Sequence, residues 1–357
     1  MENFVELYTD YLLCSFGQTT ATGLSQLLEG RISHDKITRC LSQNQYDSKY
    51  LWQSVKPMVE ELTHSGATVV LSFDDSIEEK SYSDENELIC WHYDHVLNRS
   101  VKGVNFLTAL LDIDGVRLPV AVEFVKKDGW EHNEKTGKPK RKSSKTKNEH
   151  FREMIRRCHW NCRFDYVACD SWYSSAENMK LVKEELNSNF VMALKSNRRV
   201  ALSVADKKAN KYISIESLQP GQQTMEVWLE ELGFPLLLTK QVFKDGDDTV
   251  GELYLACSDL NLSYHQITTI YKKRWGVEEY HKSVKSNAGF ARSPTHTVKT
   301  QSNHFMLSIL AYIKLQWLNR RNGKNHFAMK SEIYLAALKA AYAALKNLST
   351  PQCLKIV

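Results

Sequence analysis

Four residues in the last third of the chain have types and a spacing suited to chemistry on phosphates: Tyr271, Arg274, Glu278 and Lys285. On one continuous helix, at about 100° per residue, their side chains would share a strip roughly 60° wide. A carboxylate flanked by two cations and a phenol is poorly suited to a core and well suited to holding a metal ion beside a phosphate. The alternative is an exposed helix that carries i,i+4 ion pairs.

Two further groups of acids follow strand-like runs. The β-branched and aromatic run at residues 67–76 contains Asp74 and Asp75, and the apolar run at residues 164–171 ends at Asp170. Both runs predict buried strands. Open α/β sheets place their chemistry at the carboxyl ends of strands, although a single Asp at a strand end is more often a cap or turn residue. The three acidic positions are therefore interpreted together.

The order strand-Asp, strand-Asp, helix-Glu, combined with the Y-x2-R-x3-E-x6-K spacing of residues 271–285, resembles the DDE transposases of bacterial insertion sequences that carry the YREK signature. The resemblance spans about residues 67–300. It implies an α/β fold of the ribonuclease-H-like kind, in which a mixed sheet has helices on both faces. It also implies an all-β insertion in that fold. The first 65 residues themselves predict a helical N-terminal domain.

The resemblance further implies which acids are catalytic. In the family the first motif is an acid, the catalytic Asp and a Thr, which here makes Asp75 the first catalytic acid and places Ser76 at the Thr position. Adjacent strand residues point to opposite faces, so only one of Asp74 and Asp75 is expected to reach a metal ion. The implied catalytic and metal-binding residues are Asp75, Asp170 and Glu278. The implied phosphate-binding residues are Tyr271, Arg274 and Lys285.

The cofactors and partners follow from the same resemblance. Two Mg²⁺ ions roughly 4 Å apart would activate the attacking hydroxyl and stabilise the leaving oxygen, and Mn²⁺ is expected to substitute. The expected partners are target DNA and double-stranded DNA at the element's terminal inverted repeats, bound by a homodimer. The family also forms a hairpinned DNA end with a base stacked on an aromatic side chain. Trp228 and Tyr254 are candidates, although a buried aromatic in a β-domain is usually core.

Five regions are expected along the chain. They are a helical DNA-binding region (1–65), the first part of the catalytic domain (66–199), a β-rich insertion (200–257), the second part of the catalytic domain (258–300) and a helical C-terminal region (301–357). Asp114-Gly115 predicts a hairpin between two strands. The sequences Ser174–Glu177 and Ser263–Gln266 each predict a helix-starting capping box.

The N-terminal region contains two short amphipathic segments, residues 22–30 and 33–41, with Ser33 as the expected N-cap of the second. This is the outline of a helix-turn-helix, whose second helix would bring Lys36 and Arg39 to DNA. An ordinary helical hairpin is the alternative.

A basic segment at residues 135–147 carries seven Lys or Arg in thirteen residues. We expect a mobile loop whose Lys140, Arg141 and Lys142 contact DNA phosphates, with a solvated linker as the alternative. The formal net charge of the whole chain is +5, a modest preference for polyanions.

No stretch of 18 apolar residues occurs, and the acidic N-terminus lacks a signal-peptide pattern. A cytoplasmic bacterial protein without a membrane partner, associated with the nucleoid when it binds DNA, is therefore expected. The cysteines are scattered and are expected to be mostly reduced core thiols. Cys158, His159 and Cys162 resemble half of a zinc site, but no second ligand pair follows at a suitable spacing, so zinc is not expected.

The sequence thus predicts an active DDE transposase. One alternative is a catalytically inactive, transposase-derived DNA-binding regulator, against which the intact acids argue. The other is a metal-independent recombinase acting through a covalent Tyr or Ser, for which the chain offers no recognisable Arg-His-Arg-Tyr arrangement.

Overall fold

The fold is mixed α/β. The structure, a computed structural model, describes residues 3–63, 66–95, 97–132, 137, 139–218, 223–244 and 250–348. The chain divides into two compact units, residues 1–46 with 282–357 and residues 47–281. In the described part of the chain, no helix is both long enough and apolar enough to cross a membrane.

The helices in chain order are α1 (Phe4–Cys14), α2 (Ala21–Leu27), α3 (His34–Gln43), α4 (Ser48–Thr63), α5 (Lys147–Asn161), α6 (Ala176–Lys180), α7 (Val204–Lys208), α8 (Tyr264–Lys273), α9 (Gly276–Asn287), α10 (Val298–Asn322) and α11 (His326–Leu348). A π-helical turn, Leu181–Glu185, continues α6. The strands are β1 (Val69–Glu79), β2 (Cys90–Asp94), β3 (Arg99–Ile113), β4 (Val116–Phe124), β5 (Gly129–His132), β6 (Pro139–Lys142), β7 (Tyr166–Cys169), β8 (Asn189–Leu194), β9 (Arg199–Ala201), β10 (Ile213–Ser214), β11 (Met225–Leu229), β12 (Leu236–Lys244) and β13 (Val250–Cys257).

A large mixed sheet forms the centre of the unit at residues 47–281. Its order is β10-β9-β11-β12-β13-β8-β7-β1-β3-β2, and β4 pairs with β3. Strand β3 is antiparallel to β1 and β4, whereas β7 is parallel to both β1 and β8. The predicted β3–β4 hairpin is confirmed. Its turn holds Asp114 and Gly115 at φ of 50° and 80°, the left-handed region that Asp-Gly tolerates.

Residues 200–257 are rich in strands, as predicted, but their strands extend the main sheet. Strand β13 pairs with β8, and β12, β11 and β9 follow in order. Because α7 also lies in this segment, the segment is strand-rich rather than all-β.

The two predicted N-terminal helices are present as α2 and α3. Ser33 caps α3 by accepting a hydrogen bond from the backbone N–H of Lys36 at 3.3 Å. Ile37 and Leu41 are buried, while Lys36 and Arg39 are exposed. Exposure leaves both cations accessible, but a helical hairpin would expose them equally.

Two local expectations need correction. Ser175, rather than Ser174, is the N-cap of α6, because its hydroxyl accepts from the N–H of Asn178. Part of the basic segment is not a loop, since residues 139–142 form β6 and pair with β5. The pairing is stabilised by opposite charge, because Glu131 lies 3.0 Å from Lys140 and 2.8 Å from Lys142. Residues 135, 136 and 138 of that segment lie outside the described residues.

Candidate active site

Two acidic positions lie side by side in the main sheet, and Arg274 links a third to one of them. Asp74 lies in β1, Asp170 follows directly after β7, and Glu278 lies in the first turn of α9. Strands β1 and β7 run parallel, with Phe73 opposite Cys169. The residues that follow, Asp74 and Asp170, are therefore neighbours at the carboxyl end of the strand pair, where sheets of this kind place their chemistry.

The register decides which acid of the Asp74-Asp75 pair faces Asp170. Val70 and Ala168 pack into one cluster with Ile267 and Ile270 of α8. Side chains alternate along a strand, so Asp74 and Asp170, four and two residues further on, extend from that same α8 face. Asp75 belongs to the opposite face.

The opposite face is covered by α5. The ring of Phe73, two residues before Asp75, meets that of Phe151 at a centroid distance of 4.6 Å. The N-terminal residue of α5, Lys147, places its Nζ 2.6 Å from Asp75 Oδ2. These contacts of Phe73 and Asp75 agree with the alternation of side chains along β1. The side chain of Asp75 therefore lies on the face of the sheet that α5 covers.

Helix α9 packs on the face that carries Asp74. His281 Nε2 lies 3.3 Å from Oγ1 of Thr108, which is the register partner of Asp74 on β3. Val277 and Tyr280 are buried, while Glu278 is about 39% exposed. The burial of its neighbours therefore fixes the turn of α9 that carries Glu278 on the face of the sheet that also carries Asp74.

Arg274 joins two of these acids. Its Nη2 donates to Glu278 Oε1 at 3.0 Å, and its Nη1 lies 3.5 Å from Asp74 Oδ2. Its Nε is buried and has no hydrogen-bond partner. A buried donor without a partner is costly.

The four residues that were expected to share one strip of a single helix lie on two helices instead. That expectation is therefore wrong. Tyr271 and Arg274 end α8, and Glu278 begins α9. Between the two helices the chain makes tight i→i−3 bonds, from Arg274 N to Tyr271 O at 3.0 Å and from Trp275 N to Lys272 O at 3.1 Å. Lys285 lies in the last turn of α9, in the unit that contains residues 282–357.

Tyr271 is buried, with 8% of its surface exposed, and burial raises the pKa of its phenol to about 12. The Arg274 guanidinium lies 5.7 Å from the centre of its ring. Tyr271 therefore supports Arg274 by packing.

Asp75 has partners that sequence reasoning missed. Besides Lys147, the hydroxyl of Tyr173 donates to Oδ1 at 2.8 Å and Asn105 Nδ2 donates to Oδ2 at 3.3 Å. The sequence signal for Tyr173 was its position three residues after Asp170. For Lys147 the signal was hidden in the basic segment, and nothing in the sequence marked Asn105.

Burial disfavours the charged forms of two of the acids, Asp74 and Asp170. Burial raises the pKa of Asp74 to about 7. Arg274 opposes that rise, while Asp170 and Asp75 add to it. Burial, with the Asp75 charge, also raises the pKa of Asp170, although the Trp172 N–H bond and Arg274 act against it. Carboxylates in this state are stabilised by an additional cation.

The donor set fits a hard divalent ion in its chemistry, because Mg²⁺ prefers carboxylate oxygens and an incomplete protein shell. Among the described residues, however, no three side chains of His, Cys, Asp or Glu lie close enough together to hold a metal ion. Arg274 and Lys147 are the cations that neutralise the acids in this conformation.

The two aromatic residues that the sequence suggested for stacking on a DNA base differ in exposure. Tyr254 is 2% exposed and its hydroxyl donates to Glu252 at 3.0 Å, so no ring face is open to a base. Trp228 is half-buried, with Lys207 Nζ 5.7 Å from the centre of its ring.

Comparison with known proteins shows which family the chain belongs to. Residues 1–213 match the family model described as a DDE superfamily endonuclease, and residues 136–314 match the one described as a transposase DDE domain. No curated protein matches the sequence. One similar solved structure is the Drosophila P element transposase strand transfer complex, with 8% identity over 99% of this chain and 88% of that chain, and a TM-score of 0.28. That similarity is too low to support a conclusion. The endonuclease model alone covers more than half of the chain, and the chain therefore belongs to the DDE superfamily of endonucleases and transposases.

Proposed function

We propose that the protein is the transposase of a bacterial insertion sequence, in the YREK group, and that it cuts DNA at the element's terminal inverted repeats and transfers the cut strand to target DNA. The observation that carries the proposal is the convergence of Asp74, Asp170 and Glu278 on one face of the sheet, with Arg274 in contact with two of them. Three acids beside a guanidinium suit phosphodiester chemistry.

The first catalytic acid in this proposal is Asp74 rather than the Asp75 expected from the sequence. Asp74 shares its face with α8, α9 and Asp170, whereas Asp75 faces α5. Asp75 then has a supporting role, because its ion pair with Lys147 keeps a second carboxylate from adding fully to the local negative charge.

The metal ions in the proposal are two Mg²⁺, replaceable by Mn²⁺, held by Asp74, Asp170 and Glu278. When bound they would supply an activated nucleophile and a stabilised leaving oxygen. The chain's own residues contribute position and charge. Arg274 holds Glu278 and Asp74 in place through its two Nη atoms.

A ribonuclease-H-like catalytic core is part of the proposal. It is supported by the antiparallel β1, β3 and β4 followed by β7 and β8 parallel to β1. On this interpretation the strands at residues 200–257 are the family's insertion. Homodimerisation on DNA and action at the bacterial nucleoid are proposed from the family alone.

DNA contacts outside the acids are proposed at Lys36 and Arg39 on the exposed side of α3 and at Lys140, Arg141 and Lys142 on β6. The support is exposure at α3 and, at β6, three successive cations, of which Lys140 and Lys142 share one face of the strand. For Lys285 the support is the sequence spacing. Trp228 remains a candidate for stacking, and Tyr254 does not, because it is buried.

A catalytically inactive DNA-binding regulator is the second candidate. It is favoured by one observation, that Arg274 and Lys147 already pair with the acids. Nicking assays distinguish the two candidates.

The test uses a supercoiled plasmid that carries the gene with its native flanking DNA. We expect the wild-type protein to nick it in Mg²⁺ or Mn²⁺ at the element ends and to be inactive in EDTA. A matched plasmid without the flanks controls for contaminating nuclease. DNA binding without nicking in either metal would favour the regulator, and nicking that persists in EDTA would indicate a metal-independent recombinase.

A further inference from the structure

An ion pair lies near the turn of the β3–β4 hairpin, on the face of the sheet that α8 and α9 cover. Asp112 of β3 and Arg117 of β4 are direct cross-strand partners, and Nε of Arg117 lies 3.6 Å from Oδ2 of Asp112. On its other side Asp112 is the partner of Val70, four residues before Asp74 on β1. Because side chains alternate along a strand, Asp112 and Asp74 extend from the same face.

Asp112 also contacts the end of α8. Nζ of Lys273, the last residue of that helix, lies 3.2 Å from Oδ1 of Asp112 and donates to the backbone carbonyl of Thr68 at 3.0 Å. The side chain of Asp112 is 4% exposed and that of Lys273 is 23% exposed, so water and salt screen this pair little. Lys273 directly precedes Arg274. These contacts therefore fix the position at which α8 ends and Arg274 begins the turn towards α9.

Arg117 contacts the start of α9. Its Nη1 forms an ion pair with Oε2 of Glu279, in the first turn of that helix. Glu279 directly follows Glu278, whose Oε1 accepts from Arg274 at 3.0 Å. Adjacent residues of a helix point about 100° apart, so the two carboxylates have different partners. The ion cluster thus comprises Asp112, Arg117, Lys273 and Glu279.

Gly276 lies between the two helix ends that the ion cluster contacts, and Arg117 occupies the space that a side chain at position 276 would need. A Cβ at this position would lie 2.6 Å from Nε and 2.8 Å from Cδ of Arg117. Gly276 is buried and is the first residue of α9, and its φ lies outside the left-handed region. The close approach of Arg117, rather than the backbone conformation, therefore explains the glycine.

We infer that Asp112 and Arg117 are positioning residues for the proposed reaction, which hold the junction of α8 and α9 (residues 273–279) against the sheet so that Arg274 and Glu278 face Asp74. The inference rests on the proposed function for the identity of the reaction. Both residues act through the junction, whose neighbouring residues carry the functional side chains. A displacement of about 1 Å in such a group can cost about a hundredfold in rate.

Hydrogen exchange of the metal-free protein tests the hold on the junction directly. Mass spectrometry follows exchange in a peptide that covers the junction, relative to a peptide from the central strand β8. In Arg117→Gln we expect the junction to exchange at least tenfold faster relative to β8. Arg156→Gln removes another Arg–Glu pair, with Glu185 at 2.9 Å, and as the matched control should leave the ratio unchanged. An unchanged ratio in Arg117→Gln would overturn the inference.

A double-variant cycle tests the close approach of Arg117 to the glycine. Gly276→Ala alone should displace Arg117 and speed exchange in the junction, although Ala is the better helix former. Arg117→Ala empties the contested space, and in that background Gly276→Ala should slow exchange instead. The same effect of Gly276→Ala in both backgrounds would contradict the packing of Arg117 on this glycine and the hold that depends on it.

Single-turnover nicking of the flanked plasmid tests the positioning role. Per folded protein, Arg117→Gln and Asp112→Asn should nick about tenfold more slowly than wild type. Their DNA affinity should stay within threefold, because affinity is spread over many phosphate contacts. Arg117→Lys keeps the charge and should recover part of the rate. Faster exchange in the junction with a normal nicking rate would make the ion cluster a stabilising contact only and overturn the positioning role.

These outcomes are separable from the proposed function. If the wild-type protein never nicks while the exchange results are as expected, the hold on the junction stands and the proposed reaction fails. If the wild-type protein and Arg117→Gln nick equally fast, the transposase proposal stands and the positioning inference is wrong.

Discussion

The hydroxyl of Tyr173 donates a 2.8 Å hydrogen bond to Oδ1 of Asp75. The two residues are 98 positions apart, and the bond connects the turn after β7 to the middle of β1. The ring of Tyr173 stacks on Phe151 of α5 at 5.4 Å, next to Lys147, the other main partner of Asp75. Asp75 therefore lies on the face of the sheet that α5 covers. Its neighbour Asp74 lies on the opposite face, which also carries Glu278.

This bond predicts a stability effect. Tyr173→Phe keeps the ring packing and removes one hydrogen bond to a carboxylate, which contributes about 1.5–3 kcal/mol. We expect the free energy of unfolding in urea to fall by about that amount, with nicking reduced less than tenfold. Tyr82→Phe removes a hydroxyl from a fully exposed ring and should change neither quantity. Equal stability of Tyr173→Phe and wild type would mean that the bond contributes nothing.

Arg274 is expected to be needed for cleavage more than for binding. Arg274→Lys keeps one charge but replaces a planar fork by a point charge, which cannot hold both Asp74 and Glu278. We expect single-turnover nicking to fall at least tenfold in Arg274→Lys and further in Arg274→Ala. DNA affinity should change less than threefold, because affinity is spread over many phosphate contacts. Lys272→Ala, an exposed cation at the same end of α8, is the control. A parallel loss of binding and cleavage would make Arg274 a general surface charge.

The row of cations on β6 is expected to behave in the opposite way. Replacing Lys140, Arg141 and Lys142 by Gln should weaken binding to any DNA and lower the salt slope by between one and three, since each lost phosphate contact lowers it by about one. Nicking at saturating DNA should persist. A control variant removes the same charge elsewhere, at Lys49, Lys56 and Lys339. If the two triple variants bind alike, the effect is one of net charge, and β6 is no specific DNA surface.

Histidine burial predicts a pH dependence of stability. Burial lowers the pKa of His326 from 6.5 to about 4, and its Nδ1 lies 2.8 Å from the Ser283 hydroxyl. Below pH 6.5, His326 binds a proton in the unfolded chain but not in the folded one. The stability that follows from burying His326 in its neutral form is therefore complete above pH 6.5 and is lost as the pH falls towards 4.

Between pH 7 and 5.5 the loss should be about 1 kcal/mol relative to His326→Gln, which does not titrate. Urea unfolding of both proteins at the two pH values measures it. The comparison is made against the variant because Asp74, whose pKa is raised, acts in the opposite direction and is common to both proteins. If the difference in unfolding free energy between wild type and His326→Gln were the same at both pH values, the result would contradict the burial of a neutral His326.

The sequence predicted the strands that bear the acids because alternation and β-branched runs are local signals. It also predicted the β3–β4 hairpin, since Asp-Gly specifies its own turn. It did not predict the break between α8 and α9, because no Pro marks it. It predicted the strand that became β13 but not the pairing of that strand with β8, because pairing partners are chosen by distant residues. The proposed preference for Asp74 over Asp75 rests on register with β7 and on contacts with α5 and α8, which periodicity alone does not contain.

Replacement of single acids tests the central claim most directly. The measurement is the single-turnover nicking rate of the flanked plasmid in Mg²⁺ for Asp74→Asn, Asp75→Asn, Asp170→Asn and Glu278→Gln, with gel-shift affinity measured alongside. If Asp74, Asp170 and Glu278 hold the metal ions, their variants should lose nicking by a factor of about 10³ or more while binding persists, and Asp75→Asn should stay within about tenfold of wild type. An inactive Asp75→Asn beside an active Asp74→Asn would contradict the assignment of the first acid, and near-normal nicking by Glu278→Gln would contradict the mechanism as a whole.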